Sequence, residues 1–415
     1  MKILTGLATN VADRIVRNRA KLPDWVNSLV TSAAKNPDGL IGRLASSLLG
    51  GGRSARPPQA TNVPSTQVRV YIGPTNYAAQ GYLWARALEK SSPRIGARNM
   101  EVKLPGGYNF PADTAVPLAF YNHSSAWQGS ELDAVSEFTH VLFEAERPLF
   151  GSMFGRDVAR EAVELERRGV SVAFLSHGTD ARSPRANIAR TRWSPFADDS
   201  KLTAALQEDA DRNLELLRRM DRPVFVSTPD LLSDVPYAQW CPVVVDSSLW
   251  HSDRVPSADS RPIVAHIPSS GEGKGTHLID GPLRALERAG TIEYRLLAGI
   301  AAAQMPEKIT TADIVLDQFR VGSYGVAACE AMAAGRVVLG HVLPDVRDTI
   351  HTLTGLHLPI VEAVPDNIGE VISALIADPG RMSQLAQAGP VFVDAVHSGE
   401  MSSRVLRTHW IEVSR

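Results

Sequence analysis

Only two cysteines, Cys241 and Cys329, occur in the 415 residues, far apart and each among apolar or small neighbours. That scarcity excludes a disulfide framework and a C-x-x-C redox or zinc motif, and it fits a reducing cytoplasm. Long apolar runs are missing as well. Nothing approaches the roughly 18 residues that span a bilayer, and Lys2–Thr9 is too short to be the apolar centre of a signal peptide. The net charge is only −2, which argues against general nucleic-acid binding, since that leaves a basic footprint over a whole chain. G-x-S-x-G, H-E-x-x-H, the Walker phosphate loop and G-x-G-x-x-G are all absent, so serine-hydrolase, zincin, NTPase and dinucleotide readings lack support.

What charge there is lies unevenly. Residues 1–60 hold nine lysines and arginines against three aspartates, which leaves the remainder at about −8. The segment reads as short amphipathic helices (Val11–Arg19, Trp25–Ala34, Leu40–Leu49) followed by a linker of glycine, proline and serine from Gly50 to Gln67. A basic amphipathic stretch carrying Trp25 suits peripheral contact with an anionic membrane face; the alternative is a helical extension or tail of the protein body.

From Val68 onward, apolar runs of strand length alternate with helical periodicity. Strands are expected at Gln67–Gly73, Val116–Tyr121, Thr139–Glu144, Val170–Leu175 and Pro223–Val226, and again at Ile263–Ile267, Ile292–Leu297, Ile314–Leu316, Val337–Leu339 and Leu358–Val361. Helices are expected at Gly81–Lys90, Arg156–Arg168, Leu202–Met220, Thr276–Arg288, Tyr324–Ala334 and Ile368–Ile376, with a terminal helix after about residue 390. Continuously apolar strands such as VSVAFL are the mark of parallel strands buried on both faces. Two runs of βαβ units predict an α/β chain of two doubly wound parallel-sheet domains facing a cleft, and the length suits two domains better than one core. The boundaries expected are 1–64 for the basic extension and linker, 65–245 and 246–395 for the two domains, and 396–415 for a terminal helix crossing back to the first.

Ligands of such sheets bind beyond the C-terminal ends of the strands, so the loops there carry the candidate chemistry. Gly73–Gly81 offers two glycines for close backbone approach and Asn76 and Gln80 as uncharged hydrogen-bonding groups; a plain βα turn is the alternative. Ser176–Arg182 presents His177 with Asp180 and Arg182, where a structural histidine is the alternative. Pro268–Gly275 places Lys274 beside Gly275 at the start of a helix, suited to neutralise a diphosphate. Asp317–Gly325 ends in the turn Gly322-Ser323-Tyr324-Gly325 and opens a helix of small residues. Backbone N–H groups at such a turn form an anion site. If that helix begins near Ser323, Glu330 lies seven residues on and near the same face. Diphosphate at the tip and a carboxylate within reach of sugar hydroxyls would suit a sugar nucleotide. The bland alternative is a packing helix with Glu330 in water.

Taken together, these motifs resemble the family 4 retaining glycosyltransferases of GT-B fold, over most of residues 68–395 and most specifically at Gly322–Gly335. Glu330 matches the family's second glutamate, implied to bind the nucleotide ribose. Tyr324 takes the aromatic place, with Ser323, Gly325 and Val326 as loop and backbone contacts to the donor. Lys274-Gly275 looks like the family's K-G, His177 like its donor-sugar histidine, Gly73 and Gly81 like its glycine-rich first loop, and Val245–Trp250 like its interdomain segment. Gly322 stands where the family has its first glutamate, with Asp317 and Gln318 as candidate substitutes. No arginine precedes Lys274 by five or six residues, and Arg261, Arg320 and Arg336 are candidate replacements.

The resemblance implies transfer of a sugar from a nucleoside-diphosphate donor with retention at the anomeric carbon. It implies no cofactor or metal, with Lys274 and the turn at Ser323–Gly325 stabilising the leaving diphosphate. His177, Lys274 and Glu330 are the implied catalytic set. Gly73, Asn76, Gly81, Gly275, Asp317, Gln318 and Gly322–Val326 fall on the donor side, and Gln80, Asp180 and Arg182 on the acceptor side. The acceptor expected is a carbohydrate or lipid, in the cytoplasm or at the inner membrane face. A non-catalytic nucleotide-sugar-binding protein and a nucleotide-sugar epimerase are the alternatives.

Overall fold

The computed structural model describes residues 58–103, 110–256, 261–268, 271–300 and 304–413. The expected helices before residue 50 and residues 50–57 of the linker lie outside them. Among the described residues no helix is long and apolar enough to cross a membrane.

Among the described residues twelve strands form two sheets. The first holds β1 (Val68–Gly73), β2 (Ile95–Lys103), β3 (Thr114–Pro117), β4 (His140–Glu144), β5 (Ser171–Ser176), β6 (Val224–Val226) and β7 (Gln239–Trp240), in the order β3-β2-β1-β4-β5-β6-β7. The second holds β8 (Ile263–His266), β9 (Glu293–Leu296), β10 (Ile314–Leu316), β11 (Val337–Gly340) and β12 (Ile360–Glu362), in the order β12-β11-β10-β8-β9. Pairing is parallel, as in Val70 opposite His140 and Leu316 opposite His266. Parallel strands need crossovers covering both faces, which is why their central residues are mostly apolar. In the second sheet Val264, Ile314, Leu316, Val337 and Leu339 are buried, with Ile279, Leu283, Ile368 and Ile372 packed on them from the crossover helices Thr276–Arg288 and Ile368–Ile376.

By compactness the chain divides inside β5, one unit running up to Ala173 and the other from Phe174 onward. Within the second unit the terminal helices Pro379–His397 and Glu400–Leu406 fasten to the segment after β7. Val245 N–H donates to the His397 carbonyl at 2.8 Å, and Ser402 Oγ to that of Pro242 at 2.7 Å.

Three expectations are corrected. The strand expected at Val116–Tyr121 ends at Pro117, and Leu118–His123 is helical. Proline has no N–H to continue the ladder, and it fixes the backbone at the helix start. β2 has no counterpart in the sequence reading, because Arg98, Asn99 and Glu101 break its apolar run. Asn99 is buried all the same, its Oδ1 accepting from Asp113 N–H at 2.9 Å. The helix expected from Tyr324 begins at Val326. Gly322 has φ +85° and Gly325 is extended, so the turn consumes the residues that would have been its first coil.

Candidate functional site

In a doubly wound sheet the order reverses at one point, and the crevice beyond the strand ends there is the natural binding place. The second sheet reverses between β8 and β10. Beyond those strands lie the loops Pro268–Gly275 and Asp317–Gly325, two of the four singled out from sequence.

Topology therefore brings Lys274 and Asp317 together: Lys274 Nζ lies 2.9 Å from Asp317 Oδ1 and 3.4 Å from the Ile267 carbonyl. Asp317 is buried, and its other oxygen, Oδ2, accepts from Gly325 N–H at 3.1 Å. Gly325 is the N-cap of the helix Val326–Ala333, so a carboxylate caps a positive helix end. Glu330 is on this helix, partly buried and coupled electrically to both groups. Burial pushes its pKa up to about 8, against the pull of Lys274 and with the push of Asp317. One lysine thus faces two acidic side chains, of which Glu330 keeps its proton up to about pH 8.

Gly275 and Gly322 are required where they stand. Both have left-handed backbones, with φ +82° and +85°. A Cβ on Gly322 would come within 2.6 Å of Leu343 Cγ, and one on Gly275 within 2.9 Å of Arg320 Cγ. The glycine at 322 is therefore fixed by backbone conformation and by the packing of Leu343. Gln318 staples the turn from inside: its Nε2 donates to the Ser323 carbonyl and its Oε1 accepts from Arg320 and Val321 N–H at 3.1 and 2.9 Å. Tyr324 turns into the core, its hydroxyl hydrogen-bonded to His397 Nε2 at 3.1 Å.

The loop after β5 reaches the same turn through a residue the sequence reading passed over, Asp230. Arg182 donates to Asp230 Oδ2 from Nε and Nη2 at 2.9 and 2.7 Å, both side chains buried. Ser323 and Thr228 lie near Asp230, while Asp230 Oδ1, Ser323 Oγ and Thr228 Oγ1 are buried without a hydrogen-bond partner. Burial alone would raise its pKa, but Arg182 and these hydroxyls bring it below the ordinary value. Asp180 folds back on its own loop, accepting from His177 and Gly178 N–H at 2.6 and 2.5 Å. Arg182 and Asp180, expected toward the acceptor, are thus engaged in shaping the protein, and His177 stands on the loop they hold.

Of the arginines considered beside Lys274, Arg320 forks onto Asp198 at 2.5 and 2.8 Å and onto the Trp193 and Ser194 carbonyls. Arg336 is buried on the carbonyls of Ala334, Ala312 and Arg254, and Arg261 holds those of Ile292 and Glu287. Lys274 instead has His266 behind it, at the end of β8. That imidazole is bonded to the Leu316 carbonyl and Thr276 Oγ1 at 3.0 and 2.9 Å, and burial lowers its pKa to about 4, so it is neutral. A polar residue closing an apolar strand was the available signal for His266. Asp230 had a weaker one, its place after β6.

The loop Gly73–Gly81 lies in the other compact unit, at the switch point between β1 and β4. There Glu144, wholly buried, accepts from Thr75 and Asn76 N–H, each at 3.0 Å. Asn76 donates to Glu101 and to the Pro111 carbonyl and accepts from Tyr82 N–H, all at 3.0 Å. Gln80 is buried, its Nε2 donating to the Ala78 carbonyl at 3.3 Å. Gly81 leaves room for the same carboxylate, since a Cβ there would sit 3.3 Å from both Glu144 oxygens.

Two Rossmann-like parallel sheets of seven and five strands, the second with a cation at its switch point, define a GT-B fold. No protein-family model matches the chain, and no curated protein matches it in sequence. Solved structures similar to it include Anabaena HepE in complex with UDP and glucose, at a TM-score of 0.52 and 10% identity over 82% of this chain and 99% of that one. Sucrose-phosphate synthase from Thermosynechococcus elongatus is similar at a TM-score of 0.50 and 13% identity, over 82% and 98%. An alpha-glucosyltransferase in complex with UDP-glucose and abasic DNA is similar at 0.50 and 9%, over 81% and 97%.

Proposed function

We propose that this protein is a glycosyltransferase that takes a sugar from a nucleoside-diphosphate donor and passes it to a carbohydrate or lipid acceptor with retention at the anomeric carbon. The observation that carries the reading is the convergence of Lys274, the capped helix start at Gly325 and Glu330 at the second switch point. In this reading Lys274 and the helix end take the charge that develops on the leaving diphosphate. Glu330 meets the ribose hydroxyls, and His177 meets the donor sugar from its own loop. Two of the similar structures hold UDP with glucose or UDP-glucose, which supports a uridine nucleotide as the first probe. The domain boundaries proposed remain 65–245 and 246–395, with 1–64 as a basic extension at the membrane face.

Incubation with a panel of nucleotide sugars tests the reading, with thermal shift and released nucleotide as readouts and cell extract as acceptor source. A shift with turnover is expected, and Glu330→Ala should weaken nucleotide binding strongly. No shift with any donor would sink the proposal. A shift without release would favour a second reading, a non-catalytic sugar-nucleotide-binding protein, which the closed Lys274–Asp317 pair motivates. Vesicle co-sedimentation that is equal for the full chain and for residues 65–415 would remove the membrane contact.

A further inference from the structure

The same site contains a group that works against its ligand. A donor diphosphate needs a cation and helix-end amides, and Asp317 already has one of each. Its Oδ1 lies 2.9 Å from Lys274 Nζ and its Oδ2 accepts from Gly325 N–H at 3.1 Å. This carboxylate is no surface accident, because it is buried to 2% exposure directly after β10, where the strand pairing fixes its position. Glu330, in electrical contact with both, has its pKa pushed up to about 8 and so adds little charge at neutral pH, and the nearby His266 is neutral, which leaves Asp317 as the partner of Lys274. Once Lys274 is paired, its positive charge is largely spent on the protein itself.

We propose that Asp317 is a resident counter-anion, a specificity-determining residue that competes with the phosphates of the ligand for Lys274 and for the Gly325 amide. The inference rests on the donor-site reading above. In the empty site the half-buried Lys274 and the buried Asp317 keep each other paired, which avoids leaving an uncompensated charge. When a diphosphate enters, its oxygens must take over those donors, and the displaced carboxylate then lies close to the ligand's negative charge. When nucleotide leaves, Asp317 takes the donors back. Affinity for anions is thereby held down and nucleotide release is favoured. Charge-assisted hydrogen bonds are about twice as strong as neutral ones, so removing the charge while keeping the shape should be felt mainly in binding.

The test is calorimetric titration of the full chain and of Asp317→Asn with inorganic pyrophosphate and with a set of nucleoside diphosphates. Asparagine still accepts from Gly325 N–H through its oxygen, but it presents no charge to Lys274. The expected result is binding about tenfold tighter in Asp317→Asn, for pyrophosphate and nucleotide alike, with the tightening lost when Lys274→Met is added. Asp317→Ser serves as a second variant should the asparagine form fold poorly. A transient-state measurement of nucleotide release should show a slower off-rate in the variant. If the wild type binds and the variants bind equally or more weakly, Asp317 builds the site and the proposal is overturned. If neither wild type nor variants bind pyrophosphate or any nucleoside diphosphate, the donor-site reading fails, and this one with it.

Discussion

The two switch points answer the same problem differently. Each has a glycine-bearing loop whose amides could receive an anion, and in each a carboxylate at a strand end has taken the place, from the neighbouring strand at the first and from the loop's own strand at the second. At the first, Glu144 ends β4 and takes the Thr75 and Asn76 amides. At the second, Asp317 follows β10, takes one amide, and shares its charge with Lys274. Glu144 is held by backbone donors in a wholly buried setting, whereas Asp317 is paired with a side chain that can turn to another anion. A glycine-rich loop is therefore only half of an anion site. The other half is whether its donors can be released.

The largest effect that would sharpen the contrast is at Glu144. Glu144→Ala strands two buried amides, and it should cost about 3–5 kcal/mol of stability in urea unfolding while leaving nucleotide affinity within twofold. A binding loss equal to that of the second site would erase the distinction. Gly322→Ala comes next, at about 2–4 kcal/mol, from a left-handed backbone and contact with Leu343. A neutral result in thermal melting would show that the turn is adaptable.

Lys274→Ala should lower diphosphate affinity by about ten- to a hundredfold in calorimetry, and it should lower melting as well, because it leaves the buried Asp317 carboxylate without its cation. Unaltered affinity would place the ligand elsewhere.

The smallest effect concerns Glu330, whose pKa burial raises from 4.5 to about 8. The native form keeps a proton between those values that the unfolded chain has released. Stability therefore falls as pH rises from about 4.5 to 8, and the loss is complete above that. Glu330→Gln removes this slope, so wild type and variant should melt together near pH 4.5. The variant should be more stable by on the order of 1–2 kcal/mol at pH 8.5, after allowing for solvent screening. Parallel melting curves across that range would contradict the burial of Glu330.

Much of the architecture was legible because parallel strands advertise themselves: Val172–Leu175 and Ile314–Leu316 are apolar throughout, and the loops after them are polar. β2 was not legible, since Asn99 and Glu101 are buried by virtue of partners elsewhere in the chain, Asp113 and Asn76. The partners that the loop side chains take within the protein were not legible. Asn76, Tyr324, Arg182 and Asp180 read as ligand groups and are occupied within the protein, while Asp230, Glu144 and His266 were overlooked.

The sequence alone determined the alternation of strands and helices, the parallel-sheet class, and the glycine turn beside Glu330, because hydrophobic period and backbone freedom are local properties. Only the tertiary structure decided which charges meet. Glu144 and Thr75 are 69 residues apart, and Lys274 and Asp317 are 43 apart. Strand order, which no local pattern encodes, places each pair at a switch point.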